Sequence, residues 1–325
     1  MKNLKNKKIL VTGGAGFIGS HLVKRLLSYG SRIYVTVKYN SVIDNPRIVN
    51  VWDKLNIIET DLRNTDSVNE LSKYNFDLIF HLAAYNHVGD SFKHVFENIN
   101  SNLMSTINLL NSGPKFEKFI HIGSSEIYGE QKILPFNEKS KPNPMSPYGL
   151  SKYASELFAI LKSKYSKKQI LCVRPFNTFG PYQSEKAVIP EIILKCLNSQ
   201  TIKTTGGKQT REFNFVDNII DGLLLLNNKV KESISPINIG SNKPIPIKIL
   251  VKKIHKYSNS KSKLKIGSLN YRPNEIWKMS ANNKTILNKG WKPKISFDEG
   301  LKITVDWYKK FNNIFIKKNS KFHQM

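Results

Sequence analysis

Cysteine is nearly absent: two residues, Cys172 and Cys196, in a chain of 325. Both sit in apolar stretches ("QILCVRPF", "IILKCLNS") without ligand spacing, which excludes a disulfide framework and reads as reduced packing residues. Long hydrophobic runs are missing too. No segment approaches the roughly 18 to 20 consecutive apolar residues of a membrane helix, and the opening "MKNLKNKKILVTGG" has too short an apolar stretch for a signal peptide. A cytoplasmic protein with no membrane partner is therefore expected. Acidic residues are scarce, 24 against 51 basic, for a formal charge of +27. That excess invites nucleic acid, but the lysines are scattered, only seven of the 51 cations are arginine, and no nucleic-acid module appears. The charge instead suits small anionic ligands. The seven histidines show no metal-ligand spacing, so no metal site is expected; His21 reads as helix surface.

What is present is alternation. The runs "KKILVTG", "SRIYVTV", "NIIETDL", "FDLIFHLAA", "KFIHIGS" and "QILCVRPF" have strand character. Between them "SHLVKRLLSYG", "TDSVNELSKYN", "NSNLMSTINLLNSG" and "SKYASELFAILKSKYS" carry apolar residues at helical spacing. Strands alternating with helices imply an α/β fold with a doubly wound parallel sheet. The later part is richer in Pro, Gly and Asn, as binding loops are. No repeat or low-complexity linker is visible, and the basic tail after Trp307 is expected to fray.

The stretch "TGGAGFIG", residues 12–19, lies between a strand and a helix, the setting of a dinucleotide-binding fingerprint. Gly13 permits the tight turn, Gly16 lets backbone approach a pyrophosphate, and Gly19 allows close packing of helix on sheet, with Phe17 and Ile18 opening the helix. The diphosphate then rests on free N–H groups at the helix N-terminus. "GGK" at 206–208 is no P-loop, because the preceding glycine and following Ser or Thr are absent.

On these residues the chain resembles the extended short-chain dehydrogenase/reductase family, the sugar-nucleotide epimerases and dehydratases. The resemblance covers nearly the whole chain and implies a Rossmann-type fold with a smaller α/β C-terminal substrate domain. Thr12 to Leu22 repeats the family's opening; Asp61 and Leu62 match its adenine-contacting pair; Leu82, Ala83 and Ala84 in "HLAA" match the loop beside the cofactor; Asn102 matches a helical asparagine. One position departs: Val37 stands where NAD-using members end the second strand with Asp, and Lys38 follows. With no carboxylate there to repel a 2′-phosphate, the implied NAD(P)+, tightly bound and recycled, is expected to be NADP rather than NAD.

"PYGLSK" places Tyr148 and Lys152 on one helical face. A free tyrosine is a poor base at neutral pH; the lysine and the nicotinamide charge are expected to lower its pKa so that it takes a sugar hydroxyl proton. In "HIGSSEIYG" the resemblance implies Ser124 as proton relay, with Ser125 beside it, and Glu126 as the base that 4,6-dehydratases need at C5. Ser125-Glu126 resembles the mannose dehydratases more than the Asp-Glu of the glucose dehydratases. For the sugar nucleotide the resemblance implies His87, Asn177, Val188, Arg211 and Arg272, the arginines suiting bidentate phosphate contacts. A satisfied loop histidine is the plainer account of His87, and a surface salt bridge is the alternative for either arginine.

The expected division is interleaved: 1–173 with about 212–240 for the dinucleotide, about 174–211 with 241–325 for the sugar nucleotide. Family members commonly dimerise through a four-helix contact, so a homodimer is expected from the helices spanning 91–110 and 151–165. The expected reaction is 4,6-dehydration of a nucleotide-diphosphate hexose. 4-Epimerisation, uronate decarboxylation, keto-sugar reduction and a cofactor-loaded binding protein remain open beside it.

Overall fold

The structure, a computed structural model, describes residues 4–38, 46–230, 235–271 and 275–321, with side chains through residue 311. Its centre is a seven-stranded parallel sheet: β1 (Lys8–Thr12), β2 (Arg32–Val37), β3 (Asn56–Glu59), β4 (Asn75–His81), β5 (Lys115–Ile122), β6 (Gln169–Pro175) and β7 (Ile237–Ile239). Their spatial order is β7-β6-β5-β4-β1-β2-β3. The order reverses between β1 and β4, and a doubly wound sheet of this kind opens its ligand crevice at the carboxyl ends of those strands. The six strands expected from the sequence are all present. β7 was not anticipated, since a three-residue run between Pro236 and Gly240 carries no readable alternation.

Helices cover both faces, as an all-parallel sheet requires: α1 (Phe17–Ser28), α2 (Thr65–Asn69), α3 (Val88–Ser91), α4 (Val95–Ile99), α5 (Ser105–Ser112), α6 (Pro147–Ser166), α7 (Val188–Leu197) and α8 (Val216–Lys229). A π-turn, Asn100–Met104, joins α4 to α5. The face against α1 and α8 buries Ile9, Val11, Leu22, Leu26, Val35 and Leu223, and the other buries Leu10, Phe76, Ile79, Phe119 and Ala159, while α7 packs on the later helices and on Ile202–Thr204. Alternate residues of β1 thus go to opposite cores, the two-residue period of a strand buried on both sides.

Beyond β6 the chain builds short sheets. Thr178–Phe179 pairs with Asn214–Phe215, and Ile202–Thr204 pairs with Leu264–Ile266. Thr210–Arg211 lies between Ile245–Pro246 and Lys278–Met279. The basic tail does not fray at Trp307. Helix Phe297–Lys321 continues past it with a kink at Phe311, because the Trp307 ring packs on Tyr182 at 4.6 Å and on Phe311 at 5.1 Å. Among the described residues no helix is long and apolar enough to cross a membrane. Both cysteines are free and buried.

Candidate active site

The glycine loop leaves β1 and enters α1 beneath the end of β4. Gly13 has φ +68°, and a Cβ there would lie 2.7 Å from the Ala83 nitrogen. Only glycine meets both demands. Gly19 differs from the expectation: its Cβ would meet not the sheet but the Gly13 carbonyl, at 2.2 Å, so it lets the first turn of α1 close over the loop. Gly16 is the helix N-cap and offers no side chain to the N–H groups of that turn, which leaves them to a ligand. His21, expected on the helix surface, is only 17% exposed; its ring sits 2.9 Å from the Pro181 carbonyl oxygen and ties α1 to the loop after β6.

Beside this loop opens a cleft of about 250 Å³. It brings together Gly13, Lys38, Asp61, Leu62, Ala83 and Ala84, all expected from the sequence. Thr60 also lines it, with a buried hydroxyl that has no partner among the described residues. An uncapped helix start, a backbone cradle that a Cβ would fill and an unpartnered hydroxyl fit an extended phosphorylated ligand such as a dinucleotide. Asn102 is not on the cleft wall. It is 1% exposed, its amide donating to the Tyr85 carbonyl and Ser151 and its oxygen accepting from the Tyr85 N–H. It holds the loop after β4 against α6.

Residues the sequence reading passed over also line the cleft, chiefly Arg63 and Glu97. Arg63 donates to Asp61 at 2.9 and 2.5 Å and to Glu97 at 2.6 Å. The Arg63 hydrogen bonds pull the Asp61 carboxyl down to about 2. The adjacency of Arg63 to Asp61-Leu62 was the available signal; Glu97 had none, since it arrives from α4.

At the ends of β5 and β6 the chemistry gathers on α6. Ser146 caps this helix, accepting from the Gly149 N–H at 3.0 Å, with Pro147 in the first turn. The favourable start fixes Tyr148 and Lys152 one turn apart. Ser124 accepts from the Glu126 N–H at 3.2 Å and caps the short 3₁₀ turn Ser125–Ile127. Burial pushes the Tyr148 phenol up to about 12; the Ser124 hydroxyl, hydrogen-bonded to it, pulls the other way, and the nearby Glu126 carboxylate pushes it further up. Tyrosine, serine and glutamate therefore share one site. Lys152 takes no part in this shift; its ammonium donates to the Ile122 carbonyl. Burial brings that ammonium down to about 8. Ser125 is buried, 2% exposed.

The expected substrate residues are more spread. His87 caps α3, its Nδ1 accepting from the Asp90 N–H at 3.0 Å, a satisfied loop histidine. The Asn177 carbonyl accepts from the Asn214 N–H at 2.8 Å, placing Asn177 where the loop after β6 meets the short sheet. Val188 opens α7 and is 36% exposed. Arg211 is engaged by Glu275 at 3.0 Å. Arg272 lies outside the described residues. No group of three or more His, Cys, Asp or Glu side chains suited to a metal occurs among the described residues.

The family model of GDP-mannose 4,6 dehydratase matches residues 10–304. The human dTDP-D-glucose 4,6-dehydratase is 30% identical over 321 residues, spanning 94% of this chain and 91% of that one. Among solved structures, the Streptomyces venezuelae dTDP-glucose 4,6-dehydratase with NAD and TYD bound superposes with a TM-score of 0.85 at 26% identity, over 94% of this chain and 98% of that one. The Thermotoga maritima UDP-glucose 4-epimerase with UDP-glucose gives the same TM-score and identity, over 94% and 99%.

Proposed function

The chain belongs to the extended short-chain dehydrogenase/reductase family of nicotinamide-dependent nucleotide-sugar epimerases and dehydratases, and within it we propose that this protein is a nucleotide-diphosphate-hexose 4,6-dehydratase. The observation that carries the reading is Glu126, a carboxylate near enough to Tyr148 to raise its pKa and seated on the turn that Ser124 caps. Tyrosine alone serves the exchange of a proton at O4. A second, separately placed base is what removal of a C5 proton requires.

The roles follow from placement. Tyr148 takes the O4 proton, relayed through Ser124, as C4 becomes a ketone and its C5 proton becomes acidic. Glu126 removes that proton, the C6 hydroxyl leaves as water with a proton relayed by Ser124 or Ser125, and Glu126 reprotonates C5. Gly13, Gly16 and the cleft around Leu62, Ala83 and Ala84 would hold the dinucleotide, which when bound would supply a hydride acceptor for C4 and a hydride donor for C6. Lys152, buried one helical turn from Tyr148, would lower the phenol pKa together with the positive charge of a bound nicotinamide. Lys38, taken by itself, favours NADP over NAD. Arg211 and Asn177 sit on the segment we assign to the sugar nucleotide, so the interleaved division 1–173 with about 212–240 and 174–211 with 241–325 is kept as part of the proposal.

The named 4-epimerase neighbour supports a second reading, since it matches the fold equally well. Turnover in D₂O separates the two. Dehydration leaves solvent deuterium at C5 of a product that has lost water, and Glu126→Gln loses this activity by about 10²-fold or more. Full turnover by Glu126→Gln would remove the base from the proposal.

We further propose a homodimer. Leu150, Leu157 and Leu161 of α6 are 55%, 47% and 55% exposed, and Phe96 of the neighbouring α4 is 84% exposed. Their spacing on α6 makes a single apolar stripe, a surface suited to a second copy of the same stripe.

A further inference from the structure

Position 38 follows β2, where a dinucleotide-binding fold reads the adenosine ribose: a carboxylate there accepts from its hydroxyls, and a basic group there accommodates a 2′-phosphate. Read in sequence, Val37 and Lys38 admit the phosphate. The three-dimensional surroundings reverse the sign. The Lys38 ammonium lies 3.7 Å from the Glu97 carboxylate, which reaches it across the cleft from α4.

The second cation of the cleft, Arg63, is held on two sides. Its Nε and Nη2 donate to Asp61, and its Nη1 donates to Glu97 at 2.8 and 2.6 Å. Asp61 is held ionised far below neutral pH by this contact. An adjoining cavity of about 320 Å³, sharing Lys38, Asp61 and Arg63 with the cleft, adds a third carboxylate, Glu59. Among the described residues, three carboxylates thus face two cations, and both cations touch a carboxylate. A 2′-phosphate carries roughly −1.5 to −2 charges at neutral pH. It would enter a neighbourhood of net negative charge and would have to draw Lys38 and Arg63 off existing partners.

We infer that Glu97 is the specificity-determining residue of the dinucleotide site, supplying from α4 the carboxylate that the end of β2 lacks, and that the protein prefers NAD+ over NADP+. This rests on the reading of the cleft as a dinucleotide site. Glu97 acts by discriminating against phosphate and is not a catalytic residue. The overall charge of +27 does not oppose this, because screening confines the exposed lysines' influence to about 10 Å at ordinary salt.

Isothermal titration of the chain, freed of any co-purifying nucleotide, with NAD+ and NADP+ at one ionic strength measures the preference without any sugar. NAD+ is expected to bind about tenfold or more tightly than NADP+, since like charges at close quarters repel. Glu97→Gln is expected to narrow that ratio several-fold, with NADP+ binding strengthened. Tighter binding of NADP+ by the wild type overturns the preference whether or not the variant folds. An unchanged ratio in Glu97→Gln overturns the role of Glu97. If neither dinucleotide binds, the dinucleotide reading of the cleft fails as well.

Discussion

Arg174 grips Glu156 through two contacts, 2.9 and 2.6 Å, with both side chains almost wholly removed from water. The pair joins β6 to α6, the helix that carries Tyr148 and Lys152. Glu156 also lies directly under the turn before Ser124, where a Cβ on Gly123 would come within 3.0 Å of its carboxylate. Breaking one side of a buried pair leaves the other charge uncompensated, a loss of about 3–5 kcal/mol. Arg174→Met is expected to lower unfolding stability by that order in a urea titration. The double variant with Glu156→Leu is expected to recover much of it, since an apolar pair of similar volume removes the orphaned charge.

Glu212 gives stability a pH dependence. It is fully buried, accepts from the Ala281 N–H at 2.7 Å, the Ser241 N–H at 3.0 Å and the Asn214 amide at 3.1 Å, and burial pushes its carboxyl up to about 7. The folded state therefore binds the proton more tightly than the unfolded chain. Between about pH 4.5 and 7 the native state holds more protons, so this group's contribution falls as pH rises, by about 3 kcal/mol in all. Denaturant midpoints at pH 5 and pH 8 are expected to show this decline, and Glu212→Gln to remove its share. Equal slopes in both proteins would contradict the assignment.

Gly19→Ala forces a methyl group onto the Gly13 carbonyl, 2.2 Å away. Rigid backbone on the other side leaves little room to yield, so a loss of about 1–3 kcal/mol is expected. Dinucleotide binding is expected to weaken with it, because the displaced loop is the cradle itself. Calorimetric titration beside a melting curve checks both effects.

Leu157→Lys places a charge in the middle of the exposed stripe on α6. Sedimentation is expected to show a dimer in the wild type and a monomer in the variant. A wild type that sediments as a monomer at micromolar concentration would dismiss the homodimer.

Much of the architecture was legible because local signals and fold agree: six strands with the right period, a glycine loop between strand and helix, Tyr148 and Lys152 a turn apart. What was not legible came from long-range approach. Glu97 meets Lys38 and Arg63 only because the fold brings α4 to the residues that follow β2 and β3, and nothing in its own neighbourhood marks it. Asn102 was legible as a polar residue on a helix, but its burial and its bonds to Tyr85 and Ser151 depend on α6. Burial likewise acts on Tyr148, raising its pKa in the chain alone, an effect its spacing from Lys152 does not reveal. His21 looked like surface until the chain returned with Pro181 to cover it.

A 4,6-dehydratase removes water from a nucleotide hexose with no external redox partner. Mass spectrometry of the purified protein incubated with UDP-, GDP-, dTDP- and CDP-hexoses, without added cofactor, measures this directly. One member of the panel is expected to lose one water. An unchanged mass with an inverted C4 configuration by NMR would contradict it and make the protein a 4-epimerase.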